Sequence, residues 1–246
     1  MRKFGLIGFP ISHSLSKKFF SEKFEKEGIE DAQYELYPIK TIEELPLLIK
    51  ATPNLVGLNI TIPYKQQVIP YLDELDEKAE IIGAVNTITI KNGKLKGYNT
   101  DYDGFKSSLI KWLGSKPLPE KAIILGTGGA SKAVKAILDD LAIQNKFVSR
   151  KPIEGQLTYS ELENSETFKT SHLIINASPL GMSPNTETLP ELPYNQLTEE
   201  HLLFDLVYKP LLTAFMQKGI DKNCWVKNGL EMLHGQAEKA WEIWNK

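Results

Sequence analysis

The feature that most constrains this chain is the stretch Ile123-Ile124-Leu125-Gly126-Thr127-Gly128-Gly129-Ala130-Ser131. An unbroken apolar run describes a strand covered on both faces, as in a parallel sheet. A glycine turn follows, and then Ala130, Ala133, Val134, Ile137, Leu138 and Leu141 recur at helical spacing. Gly126 and Gly128 stand at the first two positions of the dinucleotide fingerprint. The first makes the tight turn, and the second lets backbone approach a pyrophosphate. Gly129 adds backbone freedom, and Ser131 holds the third position with a side chain small enough to pack helix on strand. The helix start would aim its free N–H groups at phosphate. An ordinary strand-to-helix turn can carry the same glycines. The next strand-like run, Lys146-Phe147-Val148, ends in Ser149-Arg150-Lys151. An acid there would serve the ribose of NAD, whereas an Arg suits the 2′-phosphate of NADP. The plain alternative is a solvated basic loop.

The rest of the chain alternates in the same manner. Residues 3–8, 33–38, 55–60 and 84–90 read as strands, and residues 15–27, 42–50, 74–82 and 101–113 as helices. Gly28 stops the first helix. Thr41 with Glu44 makes a capping box, and Asn92-Gly93 marks a hairpin turn. Such alternation predicts an α/β fold with a mostly parallel sheet. The turn-rich Gly114-Ser115-Lys116-Pro117-Leu118-Pro119 separates a first domain, residues 1–113, from a nucleotide domain, residues 114–227. The second domain continues through strands at 172–176, 202–206 and 223–226 and a helix at 211–218. The last helix, 228–244, has Leu230, Leu233, Ala237, Ala240 and Trp241 on one face, and periodicity does not say where it docks.

A chain of 246 residues accommodates two modest domains with proper cores. Its net charge of −2 favours neither nucleic acid nor a membrane surface. No apolar run reaches the ~20 residues a bilayer span needs, and the chain enters a strand at once rather than a signal-like segment. A single cysteine, Cys224, excludes an internal disulfide framework and fits a reducing compartment. It lies in an apolar run and reads as core. The expectation is a cytoplasmic protein.

Five polar clusters fall at the ends of predicted strands, where open α/β sheets bind ligands. Ser12, His13, Ser14 and Ser16 offer three hydroxyls and an imidazole before a helix, and Ser14 or Ser16 can equally be helix caps. Thr61 and Lys65 follow the strand at 55–60. Asn86 sits in an apolar run, where its amide must find partners. Asp101 opens a helix, where a carboxylate also serves as a cap. The fifth cluster, Gly229 to Gln236, reads by itself as a plain helix.

Taken in order, these segments resemble the shikimate dehydrogenase family. The carrying motifs are the Ser14/Ser16 segment, Asn-Ile-Thr-Ile-Pro-Tyr-Lys ending at Lys65, Gly-Ala-Val-Asn-Thr around Asn86, Asn-Thr-Asp ending at Asp101, and the Gly-Thr-Gly-Gly-Ala-Ser turn. Asn176-Ala177-Ser178-Pro179-Leu180-Gly181-Met182, Asp205-Leu206-Val207-Tyr208 and the Gln236 helix complete the set. The resemblance implies two α/β domains, an N-terminal substrate domain and a Rossmann-type NADP-binding domain, with the active site in the cleft between them and the C-terminal helix, 228–246, returning to the first. It implies reversible NADP(H)-dependent reduction of 3-dehydroshikimate to shikimate, in the shikimate pathway of aromatic amino acid biosynthesis. Lys65 and Asp101 match the catalytic pair. Ser14 and Ser16 match the carboxylate-binding serines, and Thr61, Asn86, Tyr208 and Gln236 match further substrate contacts. Gly126, Thr127, Gly128, Gly129, Ala130, Ser149, Arg150, Lys151, Ala177, Ser178 and Gly229 match cofactor contacts. No metal is expected, and the protein is a monomer or a homodimer.

A carboxylate beside an amine favours its charged form and burial favours the neutral one, so the sequence leaves open which of Lys65 and Asp101 carries the moving proton. Two departures stand out. Lys17-Lys18 replaces the usual proline after the second serine and adds positive charge near the carboxylate site. Ser149 stands where the family often has asparagine. The alternatives are a quinate/shikimate dehydrogenase with relaxed cofactor choice and a non-catalytic ligand- or NADP-sensing protein on the same fold.

Overall fold

The computed structural model describes residues 1–12, 14–163 and 165–246. The chain divides into two compact units, unit 1 comprising Met1–Asp103 with Gln236–Lys246 and unit 2 comprising Gly104–Gly235.

Unit 1 contains β1 (Arg2–Ile7), α1 (Ser16–Glu27), β2 (Ala32–Tyr37), α2 (Leu45–Ala51), β3 (Leu55–Ile60), β4 (Glu74–Leu75), α3 (Glu77–Ile82), β5 (Thr87–Lys91), β6 (Lys94–Tyr98) and the start of α4 (Asp101–Leu113). Its sheet runs β2-β1-β3-β5-β6-β4. β1 pairs in parallel with β2 and β3, and β5 is antiparallel to both its neighbours. The antiparallel part follows from the predicted hairpin, for Asn92 and Gly93 take φ of 53° and 77°, the left-handed conformations a tight hairpin turn needs. The chain leaves β1 to one side for β2 and returns on the other as β3. The carboxyl ends of β1 and β3 therefore flank a switch point, where such sheets bind ligands.

Most predicted elements are present, with local differences. Thr41 N–H donates to Glu44 Oε1 at 3.0 Å as a capping box does, but the first turn is a 3₁₀ turn, Ile42–Glu44, ahead of α2. The helix expected over 74–82 begins only at Glu77. Glu74 and Leu75 instead pair with Lys96 and Gly97 of β6, and the Asp76 side chain accepts from Lys78 N–H at the new helix start. Long-range pairing overrides local helix preference here. The strand expected from residue 84 starts at Thr87.

Unit 2 contains β7 (Lys121–Leu125), α5 (Gly129–Asp140), β8 (Gln144–Val148), α6 (Tyr159–Glu163), α7 (Glu166–Thr170), β9 (Leu173–Asn176), β10 (Leu202–Asp205), α8 (Ala214–Ile220), β11 (Trp225–Lys227) and the start of α9 (Leu230–Trp244). Its sheet is parallel throughout, in the order β11-β10-β9-β7-β8. Ile123, Leu125, Ile174, Leu203 and Phe215 form its core, with Cys224 buried among them. Phe105 and Leu109 of α4 are fully buried, and Phe105 meets Phe204 edge-on at 5.0 Å between ring centres.

The end of α9 belongs to unit 1. Trp244 lies against Phe4 at 4.8 Å, and its indole N–H donates to Ile88 O at 2.9 Å. That contact answers where the last helix docks. Among the described residues no helix is long and apolar enough to cross a membrane.

Candidate active site

In unit 1 the loops after β1 and β3 are tied together. Thr61 N–H donates to Ile7 O at 2.9 Å, and Phe9 N–H donates to Ile62 O at 3.1 Å. The first loop delivers Ser14 and Ser16 side by side, their hydroxyl oxygens 3.2 Å apart. Ser14 Oγ also accepts from Ser16 N–H at 3.2 Å, so this hydroxyl helps open α1 while staying half-exposed. His13 lies outside the described residues. The second loop carries Thr61, half-buried, and then Lys65.

Lys65 Nζ meets Asp101 Oδ2 at 2.6 Å, with the two side chains 13% and 2% exposed. Asp101 is the first residue of α4, so its carboxylate stands at the positive end of a helix. Val85 N–H donates to Lys65 O at 2.7 Å, which fixes the lysine beside Asn86. Asn86 is 1% exposed. Its Oδ1 accepts from Thr100 N–H at 2.7 Å and from the Thr87 hydroxyl at 3.2 Å. Its Nδ2 lies 3.0 Å from Thr100 Oγ1, 3.0 Å from Asp101 Oδ1 and 2.8 Å from Gln236 Oε1. An amide nitrogen carries only two protons. It cannot serve all three oxygens with a full bond at once, and the Thr100 hydroxyl has further partners in Thr87 Oγ1 at 3.3 Å and Asn86 Oδ1 at 3.2 Å.

The site thus brings Lys65, Asp101, Asn86 and Gln236 into one network. The added charge at Lys17 and Lys18 is not left free. Lys17 pairs with Glu35 of β2 at 2.5 Å and Lys18 with Glu22 at 3.6 Å. The Lys17 ammonium in turn holds the Glu35 carboxyl below its ordinary range. Sequence reasoning gave no role to Asn59, the first residue of the motif ending at Lys65, which is 9% exposed in β3 and hydrogen-bonded to Tyr34 and Thr87. The argument applied to Asn86, an amide inside an apolar run, applies to Asn59 as well.

In unit 2 the switch point lies between β7 and β9. Gly126 has a φ of 103°, a conformation that favours glycine. A Cβ there would sit 3.3 Å from the Ala177 carbonyl. At Gly128, just before α5, the space a Cβ would fill is open. Thr127 and Gly128 are exposed, and Gly129 and Ala130 are partly so. Ser131 is fully buried, and its hydroxyl donates back to Gly128 O at 2.6 Å. An open glycine turn ahead of a helix N-terminus is an arrangement that could hold a pyrophosphate.

Beyond the neighbouring β8, the Ser149 hydroxyl accepts from Lys151 N–H at 3.2 Å and braces the turn. Arg150 and Lys151 are exposed, and no ion pair engages either among the described residues. Open basic side chains with no acid at this turn fit a 2′-phosphate. Ser178 donates its hydroxyl to Asn176 Oδ1 at 2.6 Å, next to Ala177 at the end of β9. Tyr208 follows β10, and burial raises its phenol above the ordinary range. Gly229 has a packing reason to be glycine, because a Cβ there would fall on the Leu206 carbonyl. Its N–H donates to Val207 O at 3.1 Å. Among the described residues no cluster of His, Cys, Asp and Glu could hold a metal ion.

The family described as shikimate dehydrogenase substrate binding domain matches residues 6–88. The chain is 35% identical to a protein named shikimate dehydrogenase (NADP(+)) from Desulforamulus reducens, over 98% of this chain and 88% of that one. It is 38% identical to a protein of the same name from Clostridium beijerinckii, over 100% of this chain and 93% of that one. A crystal structure of shikimate 5-dehydrogenase from Thermus thermophilus in complex with NADP(H) and shikimate is similar to it with a TM-score of 0.84 and 30% identity, covering 99% of this chain and 93% of that one. With relatives at this identity along nearly its whole length, the chain belongs to the shikimate dehydrogenase family.

Proposed function

We propose that this protein catalyses the reversible NADP-dependent reduction of 3-dehydroshikimate to shikimate, in the cytoplasm, as a monomer or a homodimer. The observation that carries the reading is the Lys65–Asp101 pair at 2.6 Å, set in a buried network with Asn86 and Gln236. Unit 1 acts as the substrate domain and unit 2 as the NADP domain.

Ser14 and Ser16 donate hydrogen bonds to the substrate carboxylate. The acceptor-rich group of Asp101, Asn86 and Gln236 takes the ring hydroxyls, with Thr61 and Tyr208 as further contacts. Gly126, Thr127, Gly128, Gly129 and Ala130 hold the pyrophosphate, Ser149, Arg150 and Lys151 hold the 2′-phosphate end, and Ala177, Ser178 and Gly229 line the cofactor's path. The bound nicotinamide supplies or takes up the hydride. In the reduction direction Lys65 Nζ–H gives its proton to the carbonyl oxygen, where negative charge develops. In the oxidation direction the hydroxyl proton returns to the Lys65–Asp101 pair, and Asp101 orients both partners.

The test is the initial rate at the NADPH absorbance band with shikimate or quinate, each with NADP⁺ or NAD⁺. Turnover with shikimate and NADP⁺ alone is expected. Comparable rates with quinate or NAD⁺ would replace strict specificity with a relaxed one. A folded protein inactive in every pair would overturn the enzymatic reading.

A further inference from the structure

Asp205 ends β10, wholly buried in unit 2. Its Oδ2 accepts from the Thr213 hydroxyl at 2.6 Å. Its Oδ1 accepts from the Val207 N–H and from Asn176 Nδ2, both at 3.0 Å. The same Nδ2 donates to Leu180 O at 3.2 Å. These bonds fix which way the Asn176 amide faces. Its Oδ1 is left to accept from the Ser178 N–H at 3.1 Å and from the Ser178 hydroxyl at 2.6 Å. Turned over, the amide would set its oxygen against the Asp205 carboxylate and its N–H groups against the Ser178 donors. Asp205 thus orients Asn176, and Asn176 orients Ser178.

The consequence lies in what Ser178 has left to offer. It is half-buried, and its proton is committed to Asn176. Of the two lone pairs on its oxygen, the Leu180 N–H approaches one at 3.4 Å. The other is an acceptor, suited to an O–H or N–H of a ligand and not to a phosphate. The strand order β9-β7-β8 sets Ser178, after β9, and Arg150, after β8, on opposite sides of the glycine turn. A dinucleotide with its pyrophosphate on that turn and its 2′-phosphate at Arg150 lays its nicotinamide half on the β9 side. There the ribose hydroxyls and the carboxamide supply the donors that Ser178 can accept. The loop after β10 has backbone ties of its own, from Leu206 N–H to Asn176 O at 2.9 Å and from Gly229 N–H to Val207 O at 3.1 Å. The Ser178 hydroxyl and N–H rely on the Asn176 side chain.

We infer that Asp205 is a positioning residue for the cofactor, one that acts through Asn176 to present the Ser178 oxygen to the nicotinamide half. The inference deepens the proposed NADP-dependent reading and rests on it.

The experiment measures Kd for NADPH by nucleotide fluorescence and Kd for 2′,5′-ADP by calorimetry. The second ligand keeps the 2′-phosphate and lacks the nicotinamide half. Asp205→Ala should weaken NADPH roughly five- to tenfold, as for a lost buried hydrogen bond, and leave 2′,5′-ADP unchanged. Asp205→Asn keeps an acceptor for Asn176 and Val207 and turns its own N–H to the Thr213 hydroxyl, so it should restore NADPH binding. Thr213→Val removes a bond to Asp205 and the cap of α8 without touching the Asn176 side. It should lower Tm and leave NADPH binding unchanged, which a merely structural role of Asp205 would not allow. In the Ser178→Ala background Asp205→Ala should add little, because residues acting through one contact are not additive. Asn176→Ala should reproduce the NADPH-selective loss and serves if Asp205→Ala does not fold. Unchanged NADPH binding in the folded variant, an equal loss for 2′,5′-ADP or in Thr213→Val, or additivity with Ser178→Ala would overturn the inference and leave the proposed activity standing. A wild-type protein that neither binds NADPH nor oxidises shikimate would overturn both.

Discussion

Among the described residues each unit buries one carboxylate, and the two are served differently. Asp101 of unit 1 faces the Lys65 ammonium. Asp205 of unit 2 is fully buried and among the described residues receives only neutral donors, the Thr213 hydroxyl at 2.6 Å, the Asn176 amide at 3.0 Å and the Val207 N–H at 3.0 Å. Burial outweighs those donors and pushes the Asp205 carboxyl up to about 6. The carboxylate with a cation stands where the proposed reaction moves a proton. The one without ties the loop after β9 to the loop after β10 and to Thr213, whose hydroxyl caps α8 by accepting from Met216 N–H.

The comparison breaks most sharply at Lys65. Lys65→Ala leaves Asp101 as short of a cation as Asp205, and kcat should fall by roughly 10²–10⁴ as for the loss of a general acid. In Ser14→Ala the loss should fall mainly on KM for shikimate. Steady-state kinetics decides, and a near-normal kcat in Lys65→Ala would remove the proton role.

Next in size is Asp205. Its folded pKa of about 6 exceeds the ordinary 3.8. The stabilising contribution of the protonated carboxyl is therefore full below the unfolded value and is lost as pH rises through 6. Between pH 4 and pH 7 this group should withdraw up to about 3 kcal/mol of unfolding free energy. Asp205→Asn should lack that component. Urea titrations of both proteins at the two pH values check it, and parallel pH profiles would dismiss the unpaired-carboxylate account.

The smallest effect concerns the cations. Lys65 is enclosed and paired, whereas Arg150 is exposed and has no ion pair among the described residues. Arg150→Ala should raise KM for NADP⁺ by about 10–100-fold, as for a lost charge-assisted hydrogen bond, and leave NAD⁺ nearly unaffected. Equal changes for both nucleotides would mean that Arg150 does not read the 2′-phosphate.

What was legible beforehand follows from what is local. The glycine turn, the capping box at Thr41 and the Asn92-Gly93 hairpin are short-range patterns, and each is present in the structure. Asn86 announced itself as an amide in an apolar run. The pairing of Lys17 with Glu35 was hidden, since the two meet only once α1 packs on β2. Glu74 and Leu75 read as helix because their strand partner, Lys96-Gly97, lies far along the chain. α6 and α7, at five residues each, are too short to show a 3.6-residue period. The contacts of Tyr34 were hidden for the same reason as the pairing of Glu35, because Phe20, on which it stacks, comes from α1 and Asn59, to which it donates, from β3.

Trp244 closes the core of unit 1 against Phe4 and Phe20, and Arg2 Nη1 donates to Asn245 Oδ1 at 2.7 Å. Unit 2 is one uninterrupted segment, whereas unit 1 needs residues 1–103 and 236–246 together. On the ribosome, unit 2 has all its residues once Gly235 has emerged, while the first hundred residues must wait, their core open, for a tryptophan made only after unit 2. The half that carries Lys65 and Asp101 is therefore the last to mature.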